Sequence, residues 1–220
     1  MKICLVGAGG IGSRMAGFMN SMMPSKDVLH VMDGDVFEEK NLERQIFGRE
    51  MIGMNKAVAM HKLHPRFIPV PTYLNYYEQL GKYDMIVCVP DNNACRLLAI
   101  NHCIENGKIG IIAGNETTSA NAYVVDRELI IESERMNPLV RYPEIATNPG
   151  THAGSCAQAS EERPQTALAN AAAACMAMNL LLYWRNIANE LPREILMEYA
   201  PVEMIWAESC IRTLKTGDLK

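Results

Sequence analysis

The chain has 220 residues, 49% of them hydrophobic and 21% charged, which fits one large α/β domain able to bury its own core and excludes a disordered tail or a collagen-like repeat. Twenty-one Lys and Arg against 25 Asp and Glu leave a formal charge of -4, and without a dense basic stretch no nucleic-acid partner is expected. Seven cysteines, none in a C-x-x-C pair, suit a reducing, cytoplasmic setting and lack the spacing of a structural zinc site, so no structural zinc is expected.

The opening MKICLVGAGGIG runs from an apolar stretch straight into glycines without a small-residue cleavage site, the pattern of a buried first strand rather than a signal peptide. Ile3 to Val6 is that strand, Gly7 to Gly12 a glycine turn, and Ser13 to Met23 a helix closed by Pro24. Val28 to Met32 forms a second strand ending in Asp33-Gly34-Asp35, and a polar loop leads to a helix over Asn55 to Leu63. A short strand near Phe67 to Val70 comes next. Tyr83 to Val89 is a buried strand ending at Pro90-Asp91, and Asn93 to Asn106 is a helix stopped by Gly107. Lys108 to Ala113 is a further strand, and Ala120 to Val125 with Glu128 to Glu132 are expected as two strands turning at Asp126-Arg127.

Asn137 to Arg163 is rich in Pro, Gly, Thr and Ser and lacks periodicity, so it is expected as a mobile, functional loop. The apolar run Ala167 to Trp184 only reaches the ~18-residue length of a membrane span. Asn170 and Asn179 interrupt it and alanine dominates it, so a packed core helix, and no membrane, is expected. Pro201 to Trp206 is expected as a last edge strand. The expected fold class is α/β: one domain over 1–220 with a Rossmann-like, doubly wound, mostly parallel sheet and an antiparallel C-terminal extension.

Gly7-Ala8-Gly9-Gly10-Ile11-Gly12, after a strand and before a helix, satisfies G-x-G-x-x-G in the context that lets a backbone approach phosphates at a helix N-terminus. Asp33, 21 residues after Gly12 at the end of the second strand, can accept hydrogen bonds from ribose hydroxyls. To this point a nicotinamide enzyme fits equally well. The following segment adds Asp35, Asn41, Arg44, Gln45 and Lys56, and the fourth strand ends at Asp91 with Arg96 beyond it. A dinucleotide has two phosphates and needs no metal, whereas this set offers cations for a triphosphate and carboxylates for Mg²⁺. Strand ends of a doubly wound sheet converge on one crevice, which would bring Asp33, Asp91 and the glycines to the same ligand.

Some readings stay open. Asp35 either meets ligand or caps the next turn, and Arg96 either pairs with Asp91 or meets ligand. Glu38-Glu39-Lys40 is expected as a solvated face, His61 and His64 share a helical side without a third ligand, and fifteen methionines suit core and interface filling better than a copper site.

The motifs VGAGGIGS, DGDVFEEKNLERQIF, IGMNKA and VPDNNACR resemble those of the E1-like (ThiF/MoeB/HesA-type) family, which adenylates the C-terminus of ubiquitin-like proteins. The resemblance implies that the Gly7, Gly9, Gly10 and Gly12 turn, Asp33 and Asp35 hold adenosine and its phosphates. It further implies that Asn41, Arg44, Gln45 and Lys56 hold the polyphosphate and that Asp91 binds magnesium. Arg44, Lys56 and Asp91 would then carry catalysis, with ATP and Mg²⁺ as cofactors. The implied partner is a ubiquitin-like or sulfur-carrier protein ending in Gly-Gly, and the implied assembly a homodimer.

Departures qualify the resemblance. The chain starts at the first strand, so the N-terminal helical segment that brings an arginine to the partner's ATP is expected to be missing, with Arg14 either its substitute or a solvated surface arginine. With 220 residues, no ubiquitin-fold or dedicated cysteine domain is expected, as in compact bacterial members. Cys156, after Thr151-His152-Ala153-Gly154-Ser155, either accepts the acyl group as a thioester or is a small buried residue, while Cys4, Cys88 and Cys175 are expected as core filling. The competing functions are an NAD-dependent oxidoreductase, which leaves Arg44, Lys56 and Asp91 without a task, and a non-catalytic nucleotide-binding scaffold.

Overall fold

The computed structural model describes residues 1–116, 119–148, 167–186, 194–198 and 210–214. Eight strands form one sheet: β1 (Lys2–Val6), β2 (Val28–Met32), β3 (Phe67–Val70), β4 (Met85–Cys88), β5 (Ile109–Asn115), β6 (Ser119–Val125), β7 (Glu194–Glu198) and β8 (Cys210–Leu214). Their spatial order is β3-β2-β1-β4-β5-β6-β7-β8. The first five run parallel and the last three antiparallel, which is the expected doubly wound sheet with its antiparallel extension.

The parallel strands are buried on both faces, so their side chains divide by the period of two rather than alternating apolar with polar. Ile3 and Leu5 of β1 join Leu29, Val31, Met85 and Val87 in one core, while Cys4, Val6, Met32, Ile86 and Cys88 belong to the other. The first core is closed by helices α1 (Gly10–Met22), α2 (Lys56–Leu63) and the long α7 (Ala167–Asn186). Against the second lies α3 (Asn93–Asn106), which ends at left-handed Gly107, φ 59°. Pro69 sits in β3, one edge strand of the sheet, with its register partner Val31 in β2.

The alanine-rich run is a core helix. Ala169, Ala173, Ala174 and Ala177 are buried as α7 packs on α1, β5 and β6, and small side chains permit that close approach. Met15, Met19, Met60 and Met85 are likewise buried. One cysteine departs from expectation: Cys175 lies on the exposed side of α7, unlike buried Cys4 and Cys88.

Other expectations are corrected. Glu128 to Glu132 is not a strand but part of the helix α4 (Arg127–Glu132), because the Asp126 carboxylate accepts the Glu128 N–H at 2.9 Å and so caps a helix instead of turning a hairpin. The expected loop after Asn137 begins with two short helices, α5 (Pro138–Arg141), capped by Asn137 with Pro at its first turn, and α6 (Glu144–Thr147). Two strands are not expected from the sequence: β7 pairs onto β6, and β8 onto β7. Buried Glu194 at the start of β7 accepts from Arg141 and from the Tyr142 hydroxyl. The expected strand at Pro201 to Trp206, and Cys156 with its loop, lie outside the described residues.

Candidate functional site

Strand order reverses between β1 and β4, and a crevice of 360 Å³ opens there at the carboxyl ends of the parallel strands. Its floor is the glycine turn. Gly7 has φ 95°, a left-handed conformation that favours glycine, and donates its N–H to the Met32 carbonyl at 2.9 Å. A Cβ on Gly12 would lie 1.8 Å from the Gly7 carbonyl oxygen, so only glycine lets the helix start this close to the turn. Helix α1 begins at Gly10 with no side-chain cap. With Gly9 and Gly10 lining the crevice, the helix's first N–H groups and positive dipole end suit an anion there.

Asp33 joins this turn to β2. Its carboxylate accepts the Ala8 N–H at 2.7 Å and the Asp35 N–H at 2.8 Å. Two of its roughly four lone-pair sites remain for ligand hydroxyls. Burial pushes its pKa up, against the opposing pull of Lys56 and the two amides.

Asp35 is the hinge of a small network. Its carboxylate accepts from the Lys56 ammonium at 2.8 Å and from the Tyr73 hydroxyl at 2.8 Å. Burial pushes its pKa up, but these two donors outweigh it and hold the carboxyl below the usual carboxylate range. Lys56 is 8% exposed. Burial lowers its pKa, but the carboxylates of Asp33, Asp35 and Asp91 outweigh that and leave it raised, so the ammonium is firmly charged at neutral pH. Asp35 therefore binds side chains in the crevice wall and is no helix cap. Asn55 is the cap: its Oδ1 accepts the Ala57 and Val58 N–H groups, and its Nδ2 donates to the carbonyls of Asp33 and Asp35. It fixes the start of α2, and with it Lys56, to the end of β2. Asn directly before an apolar helix is a cap signature, which is the signal that could have singled out Asn55.

Asn41 and Gln45 are buried in the same wall. Asn41 Oδ1 accepts the Glu38 N–H at 3.1 Å within a short 3-10 turn, and the Gln45 Oε1 has no protein partner. Arg44 lines the crevice, and its backbone carbonyl accepts from the Arg14 guanidinium at 2.6 Å. Arg14 also donates to the Gly10 carbonyl at 2.8 Å. Half-buried rather than fully solvated, it is a strut between the glycine turn and the 41–45 segment. The Glu38-Glu39-Lys40 face is exposed as expected, with ion pairs Lys40–Glu38 at 2.6 Å and Arg49–Glu39 at 2.8 Å.

Asp91, exposed just past β4, borders the same crevice, so the strand ends do bring Asp33, Asp91 and the glycines together. Arg96 donates to Asn93 Oδ1 at 3.3 Å and its guanidinium lies against Gly114. A second hollow of 410 Å³ shares Asp91, Arg96 and Asn115 with the first. Asn115 escaped the sequence reading. It ends β5, and both polar atoms of its amide are buried without a protein partner. Among the described residues no three His, Cys, Asp or Glu side chains converge on a point. Mg²⁺ ordinarily takes one or two carboxylates together with substrate phosphates, and Asp91 on the same crevice as the glycine turn fits that donor set.

Fold and crevice together define a Rossmann-like α/β protein with a glycine-turn site of the nucleotide-binding type. The chain belongs to the ThiF family, whose model matches residues 1–217. It is 32% identical over 124 residues to the adenylyltransferase and sulfurtransferase UBA4 of Candida albicans, covering 52% of this chain and 28% of that protein. It is 34% identical over 117 residues to the adenylyltransferase and sulfurtransferase MOCS3 of Dictyostelium discoideum, covering 49% and 27%. The chain thus spans little more than a quarter of the length of these relatives. In fold it is similar to E. coli MccB solved with AMPCPP and MccA, with a TM-score of 0.65 at 17% identity over 97% of this chain and 64% of that one. PaaA gives 0.63 at 14% identity, over 98% and 64%. At such identities the likeness is one of fold.

Proposed function

We propose that this chain uses MgATP to adenylate the C-terminal carboxylate of a ubiquitin-like or sulfur-carrier protein ending in Gly-Gly. The observation that carries this reading is the convergence of Lys56, Arg44, Asn41, Gln45 and Asp91 on the crevice floored by the glycine turn. A dinucleotide leaves that cationic and carboxylate set without a task. The names of the adenylyltransferase relatives and the MccB fold with its ATP analogue support the same reading.

In the reaction a carboxylate oxygen attacks the α-phosphorus, the bond from that phosphorus to its bridging oxygen breaks, and pyrophosphate leaves with that electron pair. No enzyme base is required, since a C-terminal carboxyl is ionised at neutral pH. The work of the chain is positioning and charge. The turn and the start of α1 cradle phosphates, Asp33 orients the ribose, and Lys56 with Arg44 neutralises the polyphosphate. Asp91 would hold Mg²⁺, which would supply positive charge to the polyphosphate.

The test is ATP–pyrophosphate exchange with a panel of small proteins ending in Gly-Gly. Exchange in the wild type, lost in Asp91→Ala and Arg44→Ala with the fold retained, is the expected result. Activity retained in either variant overturns the site assignment. ATP binding without exchange for any carrier favours a scaffold over an enzyme. The same assay with Cys156→Ala asks whether adenylation needs that thiol, and a mass-resolved search for a carrier thioester asks whether a later step does. Sedimentation of the purified chain tests the homodimer.

A further inference from the structure

We propose that Tyr73 is the base-contacting residue of the nucleotide site, its ring forming the wall against which adenine stacks and its hydroxyl locking that wall to Asp35. The inference rests on the nucleotide reading above and assigns a role that no motif in the sequence carries.

Three observations place the ring. Its hydroxyl donates to Asp35 Oδ1 at 2.8 Å. The ring lies on Gly34: a Cβ there would sit 2.5 to 2.7 Å from Tyr73 Cδ2, Cγ and Cδ1. Its backbone carbonyl accepts the Gln79 side-chain amide at 3.0 Å. The ring is therefore pinned at its tip, at its root and along one side, yet 46% of the residue is exposed and it borders the crevice. A large aromatic side chain held rigidly while partly open to solvent exposes apolar surface that a ligand can cover.

Position selects the ligand part. Phosphates belong at the glycine turn and ribose hydroxyls at Asp33. Tyr73 follows β3 and lies against Gly34 and Asp35, the two residues after Asp33. Met32 and Leu74, 2% and 4% exposed, add apolar lining to the same crevice. Among the described residues that line the crevice Tyr73 is the one aromatic ring, the kind of surface a nucleotide's base can cover. Stacking on tyrosine uses the ring's face and leaves the hydroxyl on Asp35, so one side chain serves both the base and the Lys56–Asp35 pair.

The experiment measures ligand-induced melting shifts of the purified chain with MgATP and with magnesium tripolyphosphate, which lacks base and ribose. Wild type is expected to respond to ATP at far lower concentration than to tripolyphosphate. Tyr73→Leu keeps apolar bulk but has no ring face, and should weaken ATP about tenfold to a hundredfold while leaving the tripolyphosphate response unchanged. Tyr73→Phe keeps the face and should retain most of the ATP response. Gly34→Ala, whose methyl must displace the ring, is expected to reproduce the Tyr73→Leu result without altering Tyr73. An ATP response in Tyr73→Leu equal to wild type overturns the assignment. Loss of the tripolyphosphate response as well would make Tyr73 a structural support and overturn it too. A wild type that prefers tripolyphosphate to ATP instead overturns the nucleotide reading itself, which separates the two failures.

Discussion

Lys56 and Asp35, twenty-one residues apart in the chain, meet at 2.8 Å across the wall of the crevice, and the same Asp35 carboxylate carries the Tyr73 hydroxyl on its other oxygen. The cation expected to meet a polyphosphate is thus held, before any ligand arrives, by a carboxylate fixed from two sides. An ammonium has three donors, so one bond to Asp35 leaves others for phosphate oxygens, with the side chain already in place.

Replacing Lys56 by Met keeps the bulk and removes the charge. Pyrophosphate exchange is expected to fall by about two to three orders of magnitude, the scale seen when one donor to a developing charge is lost. Stability should fall by only about 1 kcal/mol, because the Asp35 carboxylate is part-exposed and keeps its Tyr73 partner. Exchange kinetics and urea unfolding of the same preparation separate the two effects.

The pair also makes a prediction about pH. Asp35 titrates below its ordinary range, so its contribution to stability is present above about pH 4, the unfolded value, and is lost as pH falls through the lower folded value. Lys56 titrates above its ordinary range. Its contribution is complete below about pH 10.4 and is lost as pH rises through the higher folded value. The stability difference between wild type and Lys56→Met should therefore shrink at both extremes of pH, on the acid side also through Asp33, whose burial-raised pKa Lys56 opposes. Unfolding curves from acid to alkaline pH check it, and a difference that grows towards either extreme would contradict the assignment.

Asn55 joins two elements through one side chain. Asn55→Ala removes the cap of α2 and both donors to the Asp33 and Asp35 carbonyls, at an expected cost of about 1–2 kcal/mol. Since Lys56 is the next residue, kcat for exchange should drop more than KM for ATP rises. Asn55→Asp retains the cap oxygen without the donors and should recover stability but not rate.

Gly12→Ala tests the closeness of the turn to the helix. With 1.8 Å between the new Cβ and the Gly7 carbonyl oxygen, the backbone must shift, at an expected cost of about 1–3 kcal/mol. The melting response to MgATP should vanish while far-ultraviolet circular dichroism at low temperature stays that of a folded α/β protein.

Elements whose signals are local could be read from sequence, and those made by distant pairing could not. Helix α3 follows its expected bounds because Asn92 caps it and Gly107 ends it. Glu128 to Glu132 misleads because two isoleucines beside a leucine suit a strand, while Asp126 serves either a turn or a cap, and the cap prevails. Strand β7 exists through pairing to β6 and β8 through pairing to β7, for which no residue in them is a beacon. In the site, the glycine turn, Asp33 and Lys56 belong to motifs with mechanisms attached. Asn115 and Tyr73 acquire their places only when the sheet order brings the ends of β5 and β3 to the crevice.

That order leaves β3 at an edge of the sheet, and there the chain places Pro69. Proline has no amide hydrogen to offer, so this border cannot supply a full ladder to an incoming strand. Association through β3 is thus discouraged by covalent structure rather than by charge, a safeguard that neither salt nor pH can switch off.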